Sequence, residues 1–515
     1  MTGARTIPGV IASAWFCMML VCGCAAEAPA SRGVEVVFAP AQARKVLTLE
    51  APGEAPDRVA VVIPTITRPG MPFEARVAVL DKWGYPSVKC SGRVRLIGSD
   101  GAVVAAVEFR PGVAAVAAVR NLHLEEEGFH RLTARLQGRE FPSNPTRCTA
   151  ARVEDIFWGD PHAHSLLGQC MPKYCRSIEF AYASARYVSG LDWLAMTDHV
   201  STGRGSEALF YQETRASELH NDPPAFVTVP AYEASLQGGA GGDNNIYMSR
   251  WPAMYVDEYE NGNVKTLCEK LTAVLGREGF FVVPHHTTRV GKHGEIPDGV
   301  YPGPAAMPCV EIHSKWGTSE YRGNPNALVA VHPGPSYVQD LLGRGLRLGF
   351  MGGSDSHAGM PGGGGREPGN LTRLSGLTAV RAAALDRQSI FMALRERNCY
   401  AASGERIYLD ASIAGAGGGS RQVWKNPRSP RSIEVTAAGQ SDIETIEIVR
   451  NGSVIHRRRC DSWQAAVHFD DVEDAGGLWL PSKHMGRCIY YYVRVTCRGG
   501  AQAWSSPVWL VESIQ

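Results

Sequence analysis

The chain has 515 residues, and 52 Lys and Arg stand against 51 Asp and Glu, which gives a formal net charge of +1. This length is too great for one ordinary hydrophobic core and predicts two to four domains. The balance of charge, without a long basic run, gives no electrostatic support for a nucleic-acid partner. Hydrophobic residues make up 44% of the chain and charged residues 20%, which is typical of a folded protein.

Residues 1–24 are typical of an export signal. Arg5 precedes an apolar stretch from Val10 to Val21 that is too short to span a bilayer comfortably. Small residues lie just before Cys24, and a polar segment rich in Ala and Pro follows it. This arrangement resembles the lipobox of bacterial lipoproteins; the alternative is a cleaved secretory signal. Both predict export. The first predicts a lipid anchor at Cys24, as the only membrane contact, on the periplasmic or outer-membrane face.

Export into an oxidising compartment predicts that several of the later cysteines form disulfides. Sequence alone does not give the connectivity. Plausible pairs join cysteines of one predicted domain: Cys90 with Cys148, and Cys460 with Cys488 or Cys497. A further pair, Cys170 with Cys175, brackets a short loop beside the predicted metal ligands.

Residues 34–150 contain short β-rich runs separated by turn residues, which predicts an immunoglobulin-like β-sandwich. This region has no titratable cluster, so we expect a structural or carbohydrate-facing role. Residues 406–515 return to the same pattern and predict a second β-sandwich, in which Asn451-Gly452 is a strong hairpin turn signal.

Between these regions, residues 151–405 repeat an order of helix, buried strand and polar cluster. This order predicts α/β structure with a parallel sheet, and such sheets gather functional residues at the carboxyl ends of their strands. Three predicted strands end at such a cluster: Leu191–Met196 before His199, Phe280–Val283 before His285, and Leu348–Met351 before Asp355.

Two short sequence motifs place pairs of potential metal ligands on one side of a strand. Residues i and i+2 of a strand face the same way, so His162 with His164, and Asp355 with His357, can each address one ion. Imidazole and carboxylate suit zinc, manganese or iron, and a carboxylate can bridge two ions. Each word is weak evidence alone, but together they predict a multinuclear site with these ligands: His162, His164, His199, Glu233, His285, Asp355 and His357.

Several words in this order resemble the motifs of the PHP (polymerase and histidinol phosphatase) superfamily: His162-Ala163-His164, Thr197-Asp198-His199, Glu233, Pro284-His285-His286 and Ser354-Asp355-Ser356-His357. Flanking words resemble a poorly characterised exported bacterial branch of it: Trp158-Gly159-Asp160, Val310-Glu311-Ile312, Trp316-Gly317-Thr318 and Gly352-Gly353-Ser354. The resemblance covers about Glu154 to Leu409, roughly half of the chain.

The resemblance implies a distorted (β/α)7 barrel between the two β-sandwiches, with two or three divalent ions (zinc, manganese or iron). It assigns His162, His164, Glu233 and Asp355 to one ion, Glu233 with His285 to a second, and His199 with His357 to a third. Asp198 would orient an imidazole. Two departures from the family pattern leave the second and third ions open. Gln169 and Cys170 stand where many relatives have a ligand, and the second ion could use Asp243, His286 or His313.

Such a site predicts hydrolysis by a metal-bound hydroxide, with phosphate esters as the leading substrates. Arg289 and Lys315 could neutralise phosphate oxygens, although both could also be ordinary solvated loop charges. His286 would then face the substrate, which is expected to be a small or glycan-linked molecule. The alternatives are hydrolysis at carbon (a deacetylase, amidase or lactonase) and a lipid-anchored surface binding protein with a degenerate metal site.

Overall fold

A computed structural model describes residues 33–199, 207–236, 240–256, 262–289, 294, 296–297, 299–328, 335–363 and 374–513. The predicted export signal and Cys24 lie outside these residues. Within the described ranges, no helix is both long enough and apolar enough to cross a membrane.

Residues 35–148 form two four-stranded sheets that share one core, with a small third sheet beside them. Alternation in the strands builds this core: in Val103–Phe109, Ala105, Val107 and Phe109 are buried while the residues between them are not. The sheet orders are β1-β7-β4-β2, β10-β9-β5-β6 and β3-β11-β8. The elements are β1 (Glu35–Phe38), α1 (Ala41–Glu50), β2 (Arg58–Val62), β3 (Ile66–Thr67), β4 (Phe73–Leu80), β5 (Gly92–Ile97), β6 (Val103–Phe109), β7 (Val116–Leu122), β8 (Gly128–His130), β9 (Thr133–Leu136), β10 (Arg139–Pro142) and β11 (Thr146–Cys148).

The next region carries the candidate ligands and mixes helices with buried strands. Its helix α4 begins at a capping box, in which the Asn263 side chain accepts from the N–H groups of Lys265 and Thr266. The elements are β12 (Asp155–Ala163), α2 (Ile178–Ala183), β13 (Trp193–Met196), α3 (Glu207–His220), β14 (Val227–Thr228), β15 (Ala231–Ser235), β16 (Asp243–Met248), α4 (Val264–Leu275), β17 (Phe280–Pro284), β18 (Cys309–Ser314), β19 (Gly317–Thr318), α5 (Val338–Gly343), β20 (Gly349–Gly352), β21 (Gly376–Ala382), α6 (Arg387–Glu396) and β22 (Cys399–Ser403).

The regular structure of the remaining residues consists almost entirely of strands. Two long strands form a hairpin at the predicted Asn451-Gly452 turn, where Arg450 pairs with Ser453. The elements are β23 (Tyr408–Ile413), β24 (Ala416–Gly417), β25 (Arg421–Val423), β26 (Arg431–Arg450), β27 (Ser453–Asp471), β28 (Leu480–Ser482), β29 (Gly486–Cys497), β30 (Gln502–Ser505) and β31 (Val508–Val511).

The predicted distorted (β/α)7 barrel is wrong. Of the residues that the structure describes, 43% lie in strands and only 16% in helices, and these strands form several sheets, one of which has 14 strands. In that sheet β12, β13 and β14 are parallel, but β21 pairs antiparallel with β12, and β22 pairs antiparallel with β21. Strands buried on both faces have unbroken apolar sequences, so their pattern shows neither direction nor partner.

The large sheet continues across residue 405, where the sequence predicted a domain boundary. β22 pairs with β30, with Tyr400 opposite Ser505. The Ser506 hydroxyl donates to the Cys399 carbonyl oxygen at 2.6 Å, across 107 residues of sequence. The strands after residue 405 therefore extend the sheet that contains β12.

A buried carboxylate also connects the region before residue 405 to the strands after it. Glu320 Oε1 accepts from the Tyr492 hydroxyl and from Arg494, both at 2.6 Å, and Oε2 accepts from Trp504 Nε1 at 2.8 Å. Burial raises the pKa of Glu320, and Arg494 and these hydrogen bonds oppose that rise. The three donors lie on β29 and β30.

We expect Glu320→Ala to destabilise the protein by about 3 kcal/mol, because Arg494 would remain buried with only part of its charge compensated. Thermal or denaturant unfolding measures this change. Glu512→Ala is the control, since Glu512 forms an exposed ion pair with Arg487 at 2.9 Å and such pairs contribute little. Equal stability of the two variants would contradict a structural role for the buried pair.

Candidate metal centre

The predicted ligands come from the ends of different strands, and the fold brings them together. His162 lies in β12 and His164 directly follows it, Glu233 lies in β15, and the others follow β13, β17 and β20. All are buried, with at most 7% of any of them exposed: His162, His164, His199, Glu233, His285, His286, Asp355 and His357.

Two carboxylate oxygens lie beside the Nε2 atoms of His162 and His164. The Nε2 atoms of His162 and His164 are 3.2 Å apart. Glu233 Oε2 lies 3.5 Å from the first and 3.4 Å from the second. Asp355 Oδ1 lies 3.6 Å and 3.2 Å from the same two atoms. Ligands about 2.1 Å from a tetrahedral ion lie about 3.4 Å from one another, so the spacing of each carboxylate from the two imidazoles fits a divalent metal ion.

Glu233 presents its two oxygens to different imidazoles. Oε2 faces the pair just described and also lies 3.5 Å from His199 Nε2, whereas Oε1 lies 3.2 Å from His285 Nε2. Burial alone would raise the pKa of Glu233, but His199 and His285 hold it well below its usual value. An ionised carboxylate with this geometry can bridge two ions.

Two further groups could hold ions. The rings of His199 and His357 each stack on the ring of His164, with centroid distances of 5.0 and 4.2 Å. Asp243 forms a group with His285 and His286 on the opposite side. The described residues thus contain three groups that could each hold a metal ion, and Glu233 and His164 connect them.

His285 and His286 both reach the site, which differs from the expected alternation of neighbouring residues along a strand. β17 ends at Pro284, and His286 has a left-handed backbone with φ of 51°. His286 Nε2 lies 3.1 Å from Asp355 Oδ2. Asp355 also has φ of 51°. Such a backbone in residues other than glycine is uncommon and is typical of functional sites.

Glu311 supports the site but received no role in the sequence interpretation. Its Oε2 lies 2.9 Å from His162 Nδ1. Burial would lower the pKa of His162, but Glu311 and Asp355 outweigh it and raise that pKa well above its usual value. A carboxylate on the far nitrogen of a metal-binding imidazole fixes its orientation. The signal available in the sequence was an acidic residue inside the buried apolar strand β18.

Asp160 is a second supporting residue, and the sequence alone assigned it no role. Its carboxylate accepts from the N–H groups of His162 at 3.0 Å, Ser354 at 2.9 Å and Gly362 at 2.8 Å. Burial raises the pKa of Asp160 to about 6, and these hydrogen bonds oppose the rise. Asp160 thus fixes the backbone of β12 to the segment that carries Asp355.

Asp198 acts on the backbone as well. It accepts from the N–H group and the hydroxyl of Ser165, and therefore positions the chain next to His164. That Asp198 orients an imidazole, as the resemblance implies, stays a prediction. His313, an alternative ligand in the sequence interpretation, instead places Nε2 2.7 Å from the Leu374 carbonyl oxygen.

Two cations lie at the edge of the site around Trp316. Lys315 is fully buried, and its Nζ lies 3.1 Å from His357 Nδ1. The Lys315 ammonium and the Arg289 guanidinium lie 4.7 and 5.5 Å from the Trp316 ring centre. Trp316 Nε1 donates to Asp355 Oδ2 at 2.6 Å. Positive charge therefore lies beside the candidate ligands.

Two of the disulfides predicted from the sequence are not formed in the structure. Cys90 and Cys148 are free thiols, and so are Cys460, Cys488 and Cys497. The bond between Cys170 and Cys175 stays a prediction. In the structure Cys175 Sγ lies 3.0 Å from the carbonyl oxygen of Cys170.

We expect Glu311→Gln to lower metal affinity by about 10- to 100-fold, because the amide removes the negative charge that orients His162. Competition with a coloured chelator measures the affinity. Glu320→Gln is the matched control, since it makes the same isosteric change at another buried carboxylate. An equal loss in both variants would show that general destabilisation, and not the contact with His162, causes the effect.

Comparison with known proteins adds relatives but no function. No protein-family model matches the chain. An uncharacterised protein of Chlamydia pneumoniae is 26% identical over 402 residues, and one of Chlamydia trachomatis is 26% identical over 423 residues. Each alignment covers 76% of this chain and 63% of the relative, so the chain spans less than two thirds of the relatives' length. An uncharacterised protein of Chlamydia muridarum is 33% identical over 225 residues, which is 39% of this chain and 34% of that protein.

Solved structures give no close counterpart among those compared. An FMN-binding β-glucuronidase from Facaelibacterium prausnitzii is 11% identical, with 89% of this chain and 74% of that chain covered and a TM-score of 0.17. The β-glucuronidase of Bacteroides uniformis is 7% identical, with 88% and 60% covered and a TM-score of 0.21. Nothing about this chain follows from similarities at this level.

Proposed function

We propose that this protein is a metal-dependent hydrolase with a multinuclear site, and that its substrates are phosphate esters. The observation that carries the proposal is the placement of Glu233 and Asp355, whose carboxylate oxygens each lie 3.2 to 3.6 Å from the Nε2 atoms of His162 and His164. The order of the ligand words, which resembles the PHP superfamily, supports it independently.

The residues present fit two ions and possess donors for a third. His162, His164, Glu233 and Asp355 would hold the first ion, and Glu233 with His285 the second. His199 and His357, together with His164, would hold the third. Nitrogen and oxygen donors in this mixture suit zinc, manganese or iron. Such ions acidify a coordinated water and neutralise charge on a reacting phosphoryl group.

The protein's own groups favour reaction at phosphorus over reaction at carbon. A phosphate ester carries more negative charge than an amide or a carboxylic ester, and Lys315 and Arg289 supply positive charge at the edge of the site. Lys315 Nζ would donate to a phosphate oxygen. Trp316 holds Asp355 Oδ2 through its ring N–H, so that Oδ1 remains directed to the ligand set.

Metal analysis combined with a substrate screen tests this proposal. We expect at least two transition-metal ions per chain after gentle purification, and hydrolysis of phosphomonoesters or phosphodiesters that increases when manganese is added. His162→Ala and Asp355→Ala should each lower metal content and activity together. Full metal occupancy in the double variant would exclude the site. Turnover of acyl or amide substrates, with no turnover of phosphate esters by the metal-loaded protein, would exclude phosphorus chemistry.

A further inference from the structure

Two buried cysteines meet on the side of β20 away from the proposed ligands. Cys309 is the first residue of β18 and Cys399 the first residue of β22, and they are 0% and 4% exposed. Their sulfur atoms lie 4.0 Å apart, although 90 residues separate them in sequence. Neither was in a pair named from the sequence.

Gly349 makes this approach possible. It is the first residue of β20, and it lies opposite Cys309 in the pairing of β18 with β20. A side-chain carbon at Gly349 would lie 3.1 Å from Cys309 Sγ and 2.8 Å from Arg397 Cβ. The absence of a side chain at this position leaves the space across which the two sulfurs face each other.

From this geometry we propose that Cys309 and Cys399 form a disulfide when the protein folds under oxidising conditions. An S–S bond is about 2.05 Å long, so the two sulfurs would move about 2 Å closer than they lie in this structure. The two thiols transfer two electrons and two protons to a disulfide oxidant such as glutathione disulfide. The products are the protein disulfide and two glutathione thiols.

The surroundings indicate when the bond forms. The thiolate is the attacking species in disulfide exchange, and Arg397, whose guanidinium interacts with both sulfurs, places a cation beside it. The hydrogen bond to Cys309, together with burial, raises the pKa of Cys399 well above its usual value. Exchange is therefore expected while the chain folds, before the core encloses the pair.

This bond would fix the start of β18 to the start of β22. Glu311 lies two residues after Cys309 on β18, and Lys315 directly follows that strand. The cross-link would thus anchor the strand that carries the partner of His162, and it would also restrict the unfolded chain over a long loop. Long loops give the larger stabilisation.

Refolding of the full chain in a glutathione redox buffer tests the proposal. The protein is alkylated in denaturant and mapped by mass spectrometry under non-reducing conditions. We expect a linked pair of peptides that contain Cys309 and Cys399, two hydrogen masses below their sum. Recovery of both residues as alkylated thiols, or linkage of either to a different cysteine, would overturn the proposal. This measurement needs no variant.

The melting temperature gives a second readout. Reduction should lower the Tm of the oxidised wild-type protein by about 5 °C or more. Cys309→Ala should lose most of this response, while Cys268→Ala, which removes another buried thiol on α4, should retain it. An unchanged response in Cys309→Ala would assign the effect to another bond and would also overturn the proposal. Neither experiment depends on hydrolase activity.

Discussion

Replacement of Glu233 by alanine is expected to remove metal binding and hydrolysis together, with a loss of turnover of about 10⁴-fold or more, or about 5.5 kcal/mol. The reason is that one carboxylate contacts imidazoles on both of its oxygens, so its removal disrupts more than one ion. Metal content by mass spectrometry and turnover of the best phosphate ester check this result. Glu278→Ala, at an exposed carboxylate, is the control.

The Glu233→Gln variant tests the charge of this side chain separately from its size. The amide keeps the size of the side chain but removes its charge and one acceptor oxygen. We expect it to lose at least one ion per chain while it unfolds at nearly the wild-type temperature. A Glu233→Gln variant with full metal content and normal turnover would exclude the bridging role.

The second large effect is expected at His285, and its neighbour provides the comparison. His285 Nε2 faces Glu233 Oε1, the oxygen directed away from the first ligand set. His286 Nε2 faces Asp355 Oδ2, which Trp316 also holds. We therefore expect His285→Ala to lower turnover by about 10³-fold and to lose one ion. His286→Ala should lower turnover by about 10-fold and keep the ion count.

Metal stoichiometry and turnover of the two variants, measured side by side, decide this question. Equal losses would show that both imidazoles hold the second ion, which is the arrangement that the group with Asp243 allows. A His285→Ala variant with normal turnover and full metal content would place the second ion elsewhere.

The candidate ligand set could be predicted from the sequence because its members are residue types with metal-binding side chains. His162-Ala163-His164 and Asp355-Ser356-His357 put ligands on one side of an extended segment, and such clusters after buried strands are uncommon by chance. The structure brings these residues together. Glu311 and Asp160 were harder to assign, because each acts through a hydrogen bond to a residue distant in sequence.

The architecture could not be predicted to the same extent. The alternation of helices and strands predicts a parallel sheet and the family resemblance implies a closed barrel, but β21 and β22 are antiparallel to their neighbours and lead to β30. Nothing in a buried apolar strand of five to seven residues specifies which edge it joins. The reach of the sheet across residue 405 depends on such long-range pairing.

The pairing of β22 with β30 also determines when β22 can gain this partner during synthesis of the chain. A ribosome that has added Cys399 must add 107 more residues before Ser506 can reach the carbonyl that it binds. Until then the nascent chain presents β22 as an unpaired edge, and exposed edges invite association with other chains. The edge of β22 that faces β30 is therefore completed only after β29 and β30 have been synthesised.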